Sequence, residues 1–359
     1  MSAYTIDPDV AVARTLPGAA YSDPDFYAWQ RTHLLPSTWQ LLCWDAEQAG
    51  DANAIPLRLL PGSLDVPLLV VRDGAQWRCL SNVCTHRGAV LLEAPARCKT
   101  IRCPYHGRSF DLGGRFQAMP AFDKARDFPT ASDDLPALPI SWFGPLPFVS
   151  LAPAQPFAAW SRALDTHLGW VPWDLLRFSP ARSRDYDLAA NWMLYVDNYL
   201  EGLHIPFVHP ALNRALDLGA YRVEVGEDSV LQVGLAAPGQ AAFDLPAGHP
   251  DFGQRVAAYY LWLFPNLMLN LYPWGLSLNL IEPVGVERCR VRYRTWVWDE
   301  ALIDAGAGAD THQTELEDHS VILRAQRGLR SPLYQRGRYA PTAERGLHLF
   351  HRLLCDQAR

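Results

Sequence analysis

Two short stretches dominate this sequence: Cys84-Thr85-His86-Arg87-Gly88 and Cys103-Pro104-Tyr105-His106-Gly107. As a pattern they read C-x-H, sixteen intervening residues, and C-x-x-H. Each stretch supplies one thiol and one imidazole, and each ends in a glycine, which lets a backbone bend around a ligand. The pattern predicts two tight loops that together hold one metal centre.

These side chains are the ligand types that a Rieske [2Fe–2S] centre needs, because such a centre carries two Cys on one iron and two His on the other. The predicted ligands are Cys84, His86, Cys103 and His106. Two other interpretations stay open, since a Cys₂His₂ set also binds zinc and two Cys can form a disulfide. Zinc fingers usually group Cys with Cys and His with His, so the mixed pairs favour the Rieske cluster.

The run from Ser81 to Gly114 resembles the Rieske domains of oxygenases. High-potential respiratory Rieske proteins carry a second cysteine pair, at the positions of Ala89 and Tyr105 in this chain. They also carry a serine that hydrogen-bonds the cluster, where this chain has Arg108. Because fewer hydrogen bonds to the sulfur atoms lower the reduction potential, the resemblance implies a low-potential cluster suited to an oxygen-activating site.

A second pattern begins at Asn191, where no Gly or Pro interrupts the chain and a helix is predicted through at least Tyr199. His204 and His209 follow, five positions apart. On an ideal helix that spacing is about 500° of rotation, so the two side chains would not share a face. Pro206 lies between them and is expected to distort or end the helix, which can swing both imidazoles toward one point.

Two histidines near one iron, with a carboxylate from elsewhere, would form the facial triad of non-haem Fe(II) oxygenases. The candidate carboxylate is Asp318, in the run Glu315-Leu316-Glu317-Asp318-His319 on a helix predicted over 313–329. The ordinary alternative for such a residue is a solvated charge in an acidic run.

The segment from Asn191 to Pro210 resembles the catalytic signature of Rieske non-haem iron oxygenase α subunits, and the run around Asp318 resembles its third-ligand region. The resemblance implies a mononuclear non-haem Fe(II) bound by His204, His209 and Asp318. It leaves Glu317 as the nearest alternative to Asp318.

Glu201 lies three residues before His204, where the family carries a carboxylate that bridges the two metal sites across a subunit boundary. Such a carboxylate can accept a hydrogen bond from His204 and from a Rieske histidine of another chain, which fixes both tautomers. The resemblance therefore implies a homotrimer. Asp197 and Asn198 complete the predicted catalytic set as residues near the iron; helix capping or hydrogen bonding in the core is an equally open interpretation.

Length and composition limit the possible functions. The chain has 359 residues and a net charge of −6, which argues against nucleic-acid binding. Seven scattered Cys, two of them assigned to the cluster, fit a reducing cytoplasm. Met1–Ala20 lacks the pattern of a secretory signal, and no apolar run approaches the ~20 residues of a membrane span. We therefore expect a cytoplasmic protein that binds neither nucleic acid nor a membrane.

The order of predicted elements indicates an α+β fold: an all-β Rieske domain, then a catalytic domain with an antiparallel sheet and a long C-terminal helix. This matches the helix-grip fold that the resemblance implies. We expect an N-terminal arm over 1–36 that packs on the catalytic domain, the Rieske domain over 37–155 and the catalytic domain over 156–359. The expected helices are 23–35, 157–168, 313–329 and 342–357. The expected strands are 39–43, 67–71, 77–80, 222–225, 230–233, 257–264, 267–271, 276–281 and 291–297.

The chain resembles the branch acting on choline, carnitine and glycine betaine more than the large ring-dihydroxylating enzymes. This implies a terminal oxygenase that uses O₂ for monooxygenation or oxidative N-demethylation of a small organic substrate. An aromatic-ring dioxygenase, a Rieske electron carrier without a catalytic iron and a ligand sensor remain as alternatives.

No reductase module is visible in the sequence, so we expect a separate NAD(P)H-dependent flavin/iron–sulfur reductase or a ferredoxin to supply electrons. An aromatic pocket near His204 could hold a quaternary ammonium group by cation–π attraction, and the same residues could instead stack on an aromatic ring or only fill the core. Its candidate lining residues are Phe207, Tyr260, Trp262, Leu269, Tyr272 and Trp274.

Overall fold

The structure is a computed structural model, and it describes residues 4–43 and 50–356. The chain divides into two compact units: Pro36–Phe157, and Met1–Leu35 together with Ala158–Arg359. The sequence predicts the domain boundaries at 36/37 and 155/156, which are one residue after and two residues before those of the structure. The first unit contains both Cys–His stretches, and the second contains the His204–His209 segment and Asp318.

In the described part of the unit Pro36–Phe157, the strands form three antiparallel sheets joined by short turns. Its strands among the described residues are β1 (Gln40–Leu41), β2 (Ala54–Leu59), β3 (Val66–Asp73), β4 (Gln76–Ser81), β5 (Ile101–Arg102), β6 (Ser109–Phe110), β7 (Phe116–Ala118), β8 (Ala137–Leu138), β9 (Ile140–Phe143) and β10 (Leu146–Val149). The sheet orders are β2-β3-β4-β8, β1-β10-β9 and β5-β6-β7. This is the all-β architecture that the sequence predicts for the cluster domain.

Strand β2 is missing from the sequence prediction. Its pattern contains Pro56, which lacks the N–H needed inside a sheet and so argues against a central strand. The structure places β2 at the edge of its sheet, where proline is tolerated. A turn at Asp73-Gly74 joins β3 to β4, where Asp73 pairs with Gln76 and Gly74 has a φ of +60°.

The unit that includes Ala158–Arg359 is built around one antiparallel sheet of eight strands. They are β11 (Arg177–Phe178), β12 (Arg184–Leu188), β13 (Leu216–Val225), β14 (Ser229–Ala236), β15 (Val256–Leu263), β16 (Leu267–Tyr272), β17 (Gly275–Gly285) and β18 (Arg288–Val297). The order is β11-β18-β17-β16-β15-β14-β13, and β12 also pairs with β18. Every residue of β15 and β16 is buried, which indicates that both faces of the central sheet are covered.

Helices of the same unit cover this sheet. Among the described residues of both units, the helices are α1 (Pro24–Trp29), α2 (Leu35–Ser37), α3 (Phe157–Trp160), α4 (Arg162–Leu168), α5 (Trp192–Tyr199), α6 (Ile205–Val208), α7 (Pro210–Ala215), α8 (Thr311–Leu329) and α9 (Arg345–Asp356). Phe350 of α9 packs edge-on against Trp192 of α5 and Trp262 of β15, with ring centroids 5.8 and 5.5 Å apart. The C-terminal helix thus packs on the sheet, as the helix-grip prediction requires.

The helix starts follow from their capping residues. Asn191 Oδ1 accepts from Met193 N at 2.9 Å and begins α5. Asp310 Oδ1 accepts from Gln313 N at 3.0 Å, so α8 begins at Thr311, two residues before the predicted start. The predicted single helix over 23–35 instead contains a π-helical turn, Gln30–Leu34. The last residue of the helix predicted over 342–357 lies outside the described residues.

Within the described residues, no helix has both the length and the apolar character required to cross a membrane.

Candidate metal centres and substrate cavity

The two Cys–His stretches form loops with the same backbone geometry. In each, the cysteine N–H donates to a carbonyl five residues on, and a glycine N–H donates back to the cysteine carbonyl. The distances are 2.8 Å for Cys84 N to Ala89 O and 3.0 Å for Gly88 N to Cys84 O. The corresponding bonds of the second loop, at Cys103 and Gly107, measure 2.7 and 3.1 Å. Both glycines have a positive φ, +71° and +76°, which other residues rarely adopt.

These loops present their ligand side chains together. The Cys84 and Cys103 side chains are buried, 3% exposed each, and both thiols are free rather than joined in a disulfide. The imidazole rings of His86 and His106 lie with their centroids 4.9 Å apart. His106 Nδ1 is buried and has no hydrogen-bond partner among the described residues. A buried ring nitrogen without a partner fits a metal ligand, so the residues fit the [2Fe–2S] cluster.

A single zinc ion fits these residues less well. Four ligands of one tetrahedral ion must converge on one point. Among the described residues, the only group of three or more His, Cys, Asp or Glu side chains that converges in this way is His204, His209 and Asp318. Two pairs of ligands on two separate irons do not need to converge on one point, which fits the [2Fe–2S] interpretation.

Arg108 lies buried directly behind the second ligand loop. Its guanidinium pairs with Asp133 Oδ1 at 2.6 Å and lies 4.9 Å from the centroid of the Phe116 ring. The backbone carbonyl of Asp133 accepts from Arg108 Nη2 at 3.1 Å and from Thr85 Oγ1 at 2.8 Å. A fixed positive charge with its own counterion therefore stands where the respiratory proteins have a serine.

The second centre lies where His204, His209 and Asp318 meet. One ligand atom from each lies within 4.8 Å of the others. Asp318 Oδ1 lies 3.0 Å from His209 Nε2 and 3.6 Å from His204 Nε2. Two imidazole nitrogens and one carboxylate oxygen therefore face a common point, which is the donor set of a facial triad.

Each imidazole is held from behind by a carboxylate. His204 Nδ1 lies 2.6 Å from Glu201 Oε1, and His209 Nδ1 lies 2.8 Å from Glu317 Oε2. A carboxylate accepts, so each Nδ1 carries the proton and each Nε2 presents a lone pair to the point where the three residues converge.

Both histidines lie immediately before a short helix. Pro206 does not end a long helix, because α5 has already ended at Tyr199. It occupies the first turn of α6, directly after His204, where the missing N–H costs nothing. His209 separates α6 from α7 and has φ −116° and ψ 79°. The imidazoles converge because each lies at a break in the chain.

Asp197 and Asn198 are adjacent in sequence, but their side chains have different partners. Asn198 Nδ2 donates to Asp318 Oδ1 at 2.6 Å, so it contacts the converging group directly. Asp197 instead accepts from Tyr21 Oη at 2.6 Å and lies 3.0 Å from His351 Nε2. This second network ties the N-terminal arm and α9 to α5, a tertiary arrangement that no local pattern in the sequence indicates.

A cavity of about 80 Å³ opens beside the three converging residues. Its tyrosine and amide lining includes Tyr199, Tyr221, Tyr260, Tyr272, Asn270 and Asn279. Two of the six lining residues predicted from the sequence, Tyr260 and Tyr272, are among them.

The other four predicted lining residues lie elsewhere. Phe207 is 88% exposed, and Trp262 and Leu269 are fully buried in the core. Trp274 stacks behind Tyr272 with ring centroids 5.2 Å apart. Leu269 points away because it alternates with Asn270 and Tyr272 along β16.

Sequence reasoning missed Glu315 as a cavity residue. It lies on α8 three positions before Asp318, a spacing that places both side chains on one helix face. Its carboxylate accepts from the Tyr195 hydroxyl and from Asn279 Nδ2, the latter at 2.7 Å. Burial raises the pKa of Glu315 to about 7. The helical spacing was the available signal.

Two protein-family descriptions match the chain. The ring hydroxylating alpha subunit (catalytic domain) matches residues 175–358, which is more than half of the sequence and includes His204, His209 and Asp318. The Rieske [2Fe-2S] domain matches residues 53–129.

Individual proteins are similar over nearly the whole chain. The chloroplastic choline monooxygenase of Arabidopsis thaliana is 28% identical over 375 residues, which cover 97% of this chain and 84% of the relative. The carnitine monooxygenase oxygenase subunit of Escherichia coli (strain K12) is 26% identical over 365 residues, which cover 96% and 94%. A crystal structure of the quaternary ammonium Rieske monooxygenase CntA, with an inhibitor, matches with a TM-score of 0.79 and 21% identity over 98% of this chain and 97% of that one. The predicted two-domain fold is therefore confirmed.

Proposed function

Because the chain belongs to the family of ring-hydroxylating alpha subunits, we propose that it is the terminal oxygenase of a system that oxygenates a quaternary ammonium compound. It is an oxidoreductase of the Rieske type, with a [2Fe–2S] cluster and a mononuclear iron as cofactors. The observation that carries the proposal is the convergence of His204, His209 and Asp318 beside an aromatic cavity.

The proposed ligands of the cluster are Cys84, His86, Cys103 and His106, and those of the iron are His204, His209 and Asp318. When bound, the cluster supplies electrons and the iron activates O₂. The protein supplies the fixed geometry around these groups.

Neighbouring side chains orient the proposed iron ligands. Glu201 and Glu317 fix the tautomers of the two histidines through their Nδ1 atoms. Asn198 restrains the Asp318 carboxylate with an amide donor. His204, His209 and Asp318 would hold the iron as a facial triad, a ligand set that would leave positions open for O₂ and substrate.

Glu201 is the proposed link to the cluster of a neighbouring subunit in a homotrimer. Its Oε1 accepts from His204 Nδ1, while its Oε2 accepts from the backbone N–H groups of Leu203 and His204. Leu203 and Phe207 nearby are 47% and 88% exposed, which gives this surface the apolar contact that a subunit interface favours. Electrons reach the cluster from a separate reductase or ferredoxin.

The substrate class is argued from the lining of the cavity. Aromatic rings attract quaternary ammonium groups through the negative faces of their π systems. The relatives named above are monooxygenases of choline and carnitine, both quaternary ammonium compounds. The proposed reaction is monooxygenation or oxidative N-demethylation of such a compound.

A single-turnover experiment tests the proposal. The iron-loaded protein is reduced without oxygen and then mixed with O₂ and a panel of quaternary amines and aromatic acids. Hydroxylated product or formaldehyde, stoichiometric with cluster oxidation and found only with quaternary amines, is the expected result. A diol formed from an aromatic acid would instead indicate a dioxygenase. Absence of any iron beyond the two of the cluster would indicate an electron carrier.

A further inference from the structure

A row of polar side chains crosses the sheet at the wall of the cavity. Strand pairing sets Gln232 of β14 opposite Tyr260 of β15, and Tyr260 opposite Asn270 of β16. Directly opposed residues of neighbouring antiparallel strands point to the same face of a sheet. All three residues line the cavity, so the sheet presents a phenol flanked by two amides to whatever the cavity binds.

Both amides of this row are already engaged within the protein. Gln232 Nε2 donates to the Tyr199 carbonyl at 2.6 Å, and Gln232 Oε1 accepts from the Tyr221 hydroxyl at 3.3 Å. Asn270 Oδ1 accepts from the Tyr199 hydroxyl at 2.8 Å, and Asn270 Nδ2 donates to Asn279 Oδ1 at 3.0 Å. These bonds hold the two amides in the wall and leave the phenol between them as the group that a ligand can engage.

The Tyr260 hydroxyl lacks a partner that other hydroxyls of the cavity have. Those of Tyr195 and Thr314 donate to acceptors of the protein. Tyr260 is 8% exposed, and no hydrogen bond of ordinary geometry within the described chain satisfies its buried hydroxyl. Tyr272 is its polar neighbour, but two hydroxyls hold two donors, so one bond between them would still leave a donor over. A buried donor without a partner is costly, and a ligand oxygen would remove that cost.

The ring of Tyr260 belongs to an open aromatic cage. Its plane lies nearly perpendicular to those of Tyr199 and Tyr272, with centroids 6.5 and 6.1 Å away. Aromatic faces attract quaternary ammonium groups. The cavity therefore combines rings suited to a cation with one unsatisfied hydroxyl suited to a polar group of the same ligand.

We infer that Tyr260 determines specificity for a hydroxylated substrate: its hydroxyl forms a hydrogen bond with an alcohol group carried by the quaternary ammonium compound. The inference rests on the proposed function and adds a second recognised group to it. A substrate without the alcohol leaves the phenol buried and unsatisfied, and sites that hydrogen-bond a substrate hydroxyl discriminate against analogues that lack it.

Two matched pairs of ligands isolate the contribution of the alcohol group. Choline carries a hydroxyl where trimethyl(propyl)ammonium carries a methyl group, and carnitine carries a hydroxyl where γ-butyrobetaine carries a hydrogen atom. Binding of all four is measured by calorimetry on the full-length iron-loaded protein without O₂. We expect wild-type protein to bind the hydroxylated member of each pair at least about fivefold more tightly.

Tyr260→Phe keeps the aromatic ring and removes the hydroxyl. We expect it to weaken choline binding about 5- to 10-fold and to leave binding of trimethyl(propyl)ammonium unchanged or tighter, because the variant no longer buries an unsatisfied donor. The preference within each pair should fall below about twofold. Tyr293→Phe is the matched control: the Tyr293 hydroxyl is also buried without a hydrogen bond of ordinary geometry in the described chain, but Tyr293 does not line the cavity. The control should keep the wild-type preference.

Several results would overturn the inference. Equal binding within each pair by wild-type protein would do so without any variant. A Tyr260→Phe protein that kept the wild-type preference would place hydroxyl recognition elsewhere, and equal weakening of all four ligands would show a structural role only. A preference for the hydroxylated ligands without oxygenated product in the single-turnover experiment would contradict the proposed function and leave the inference standing. Product formed from quaternary amines without any such preference would do the reverse.

Discussion

Glu317 Oε2 lies 2.8 Å from His209 Nδ1, while Asp318 Oδ1 lies 3.0 Å from Nε2 of the same imidazole. The two acids are adjacent on α8, and neighbouring side chains on a helix point about 100° apart. One acid therefore faces the point where the ligands converge, and the other holds His209 from behind. Gln313 Nε2 donates to Glu317 Oε1 at 3.0 Å and restrains it in that position.

This arrangement predicts different losses for the two acids. Asp318→Ala should abolish mononuclear iron binding, because it removes the only carboxylate among the described residues that faces both Nε2 atoms. Glu317→Gln should keep the site and weaken iron affinity about 10- to 100-fold, the usual cost of losing a carboxylate behind a ligand histidine. Iron content measured against the cluster absorbance separates the two. A larger loss in Glu317→Gln would make Glu317 the ligand, and equal losses would contradict the different roles assigned to the two acids.

Glu201→Gln should slow electron delivery without removing either cofactor. The amide cannot accept hydrogen bonds at both ends as the carboxylate does, so the link between His204 and a neighbouring subunit is weakened. With iron at saturation, we expect cluster reoxidation by O₂ and substrate to fall at least about tenfold, as followed by stopped-flow absorbance. A second cavity, of about 250 Å³, is lined by both Glu201 and Glu344. Glu344→Gln is therefore a suitable control. Reoxidation of Glu201→Gln at the native rate would exclude the bridging role.

The Arg108–Asp133 pair should tune the reduction potential of the cluster in opposite directions. Reduction adds negative charge, which a buried positive charge stabilises and a negative charge opposes. Arg108→Gln leaves the Asp133 carboxylate unbalanced and should lower the potential. Asp133→Asn leaves the guanidinium unbalanced and should raise it. A redox titration of the full-length protein measures both, with the exposed Arg102→Gln as the control. Shifts of the same sign in both variants would indicate a structural effect.

The fold could be predicted where hydrophobic patterns are long. Strands β15 to β18 of the catalytic sheet were all anticipated in part, because their apolar runs are continuous or alternating. Strand β2 was missed because Pro56 suggests a loop. The position of β2 at the edge of its sheet depends on tertiary structure, which the local sequence does not show. The prediction that Pro206 distorts or ends a helix was also wrong, because a proline in a first turn and a proline that ends a helix look alike in sequence.

The sequence predicts site residues well where the chemistry of a metal ligand fixes their spacing along the chain. It predicts them less well where their position depends on how the folded chain packs. The Cys–His loops and the His204–His209 pair carry local patterns. Glu315 has one weak signal, its helical spacing from Asp318. Trp262 has the same strand parity as Tyr260, but α9 covers it through Phe350, and only the assembled fold shows this. Contacts between distant segments, such as Asp197 with Tyr21, have no local signature.

The close packing around Gly308 leaves no room for a side chain behind the cavity. A Cβ added there would lie 2.3 Å from Trp274 Nε1 and 2.6 Å from Tyr272 Cγ, while Trp274 Nε1 already donates to Gly308 O at 3.1 Å. Gly308→Ala should therefore destabilise the protein by about 1–3 kcal/mol, as overpacking commonly does, and should weaken ligand binding because Tyr272 must shift. Thermal unfolding and calorimetry measure the two effects. Gly248→Ala is the control, since nothing lies within 4 Å of its added Cβ. If both alanine variants melted at the same temperature, the close contact at Gly308 would be relieved by other movements and Tyr272 would not depend on it.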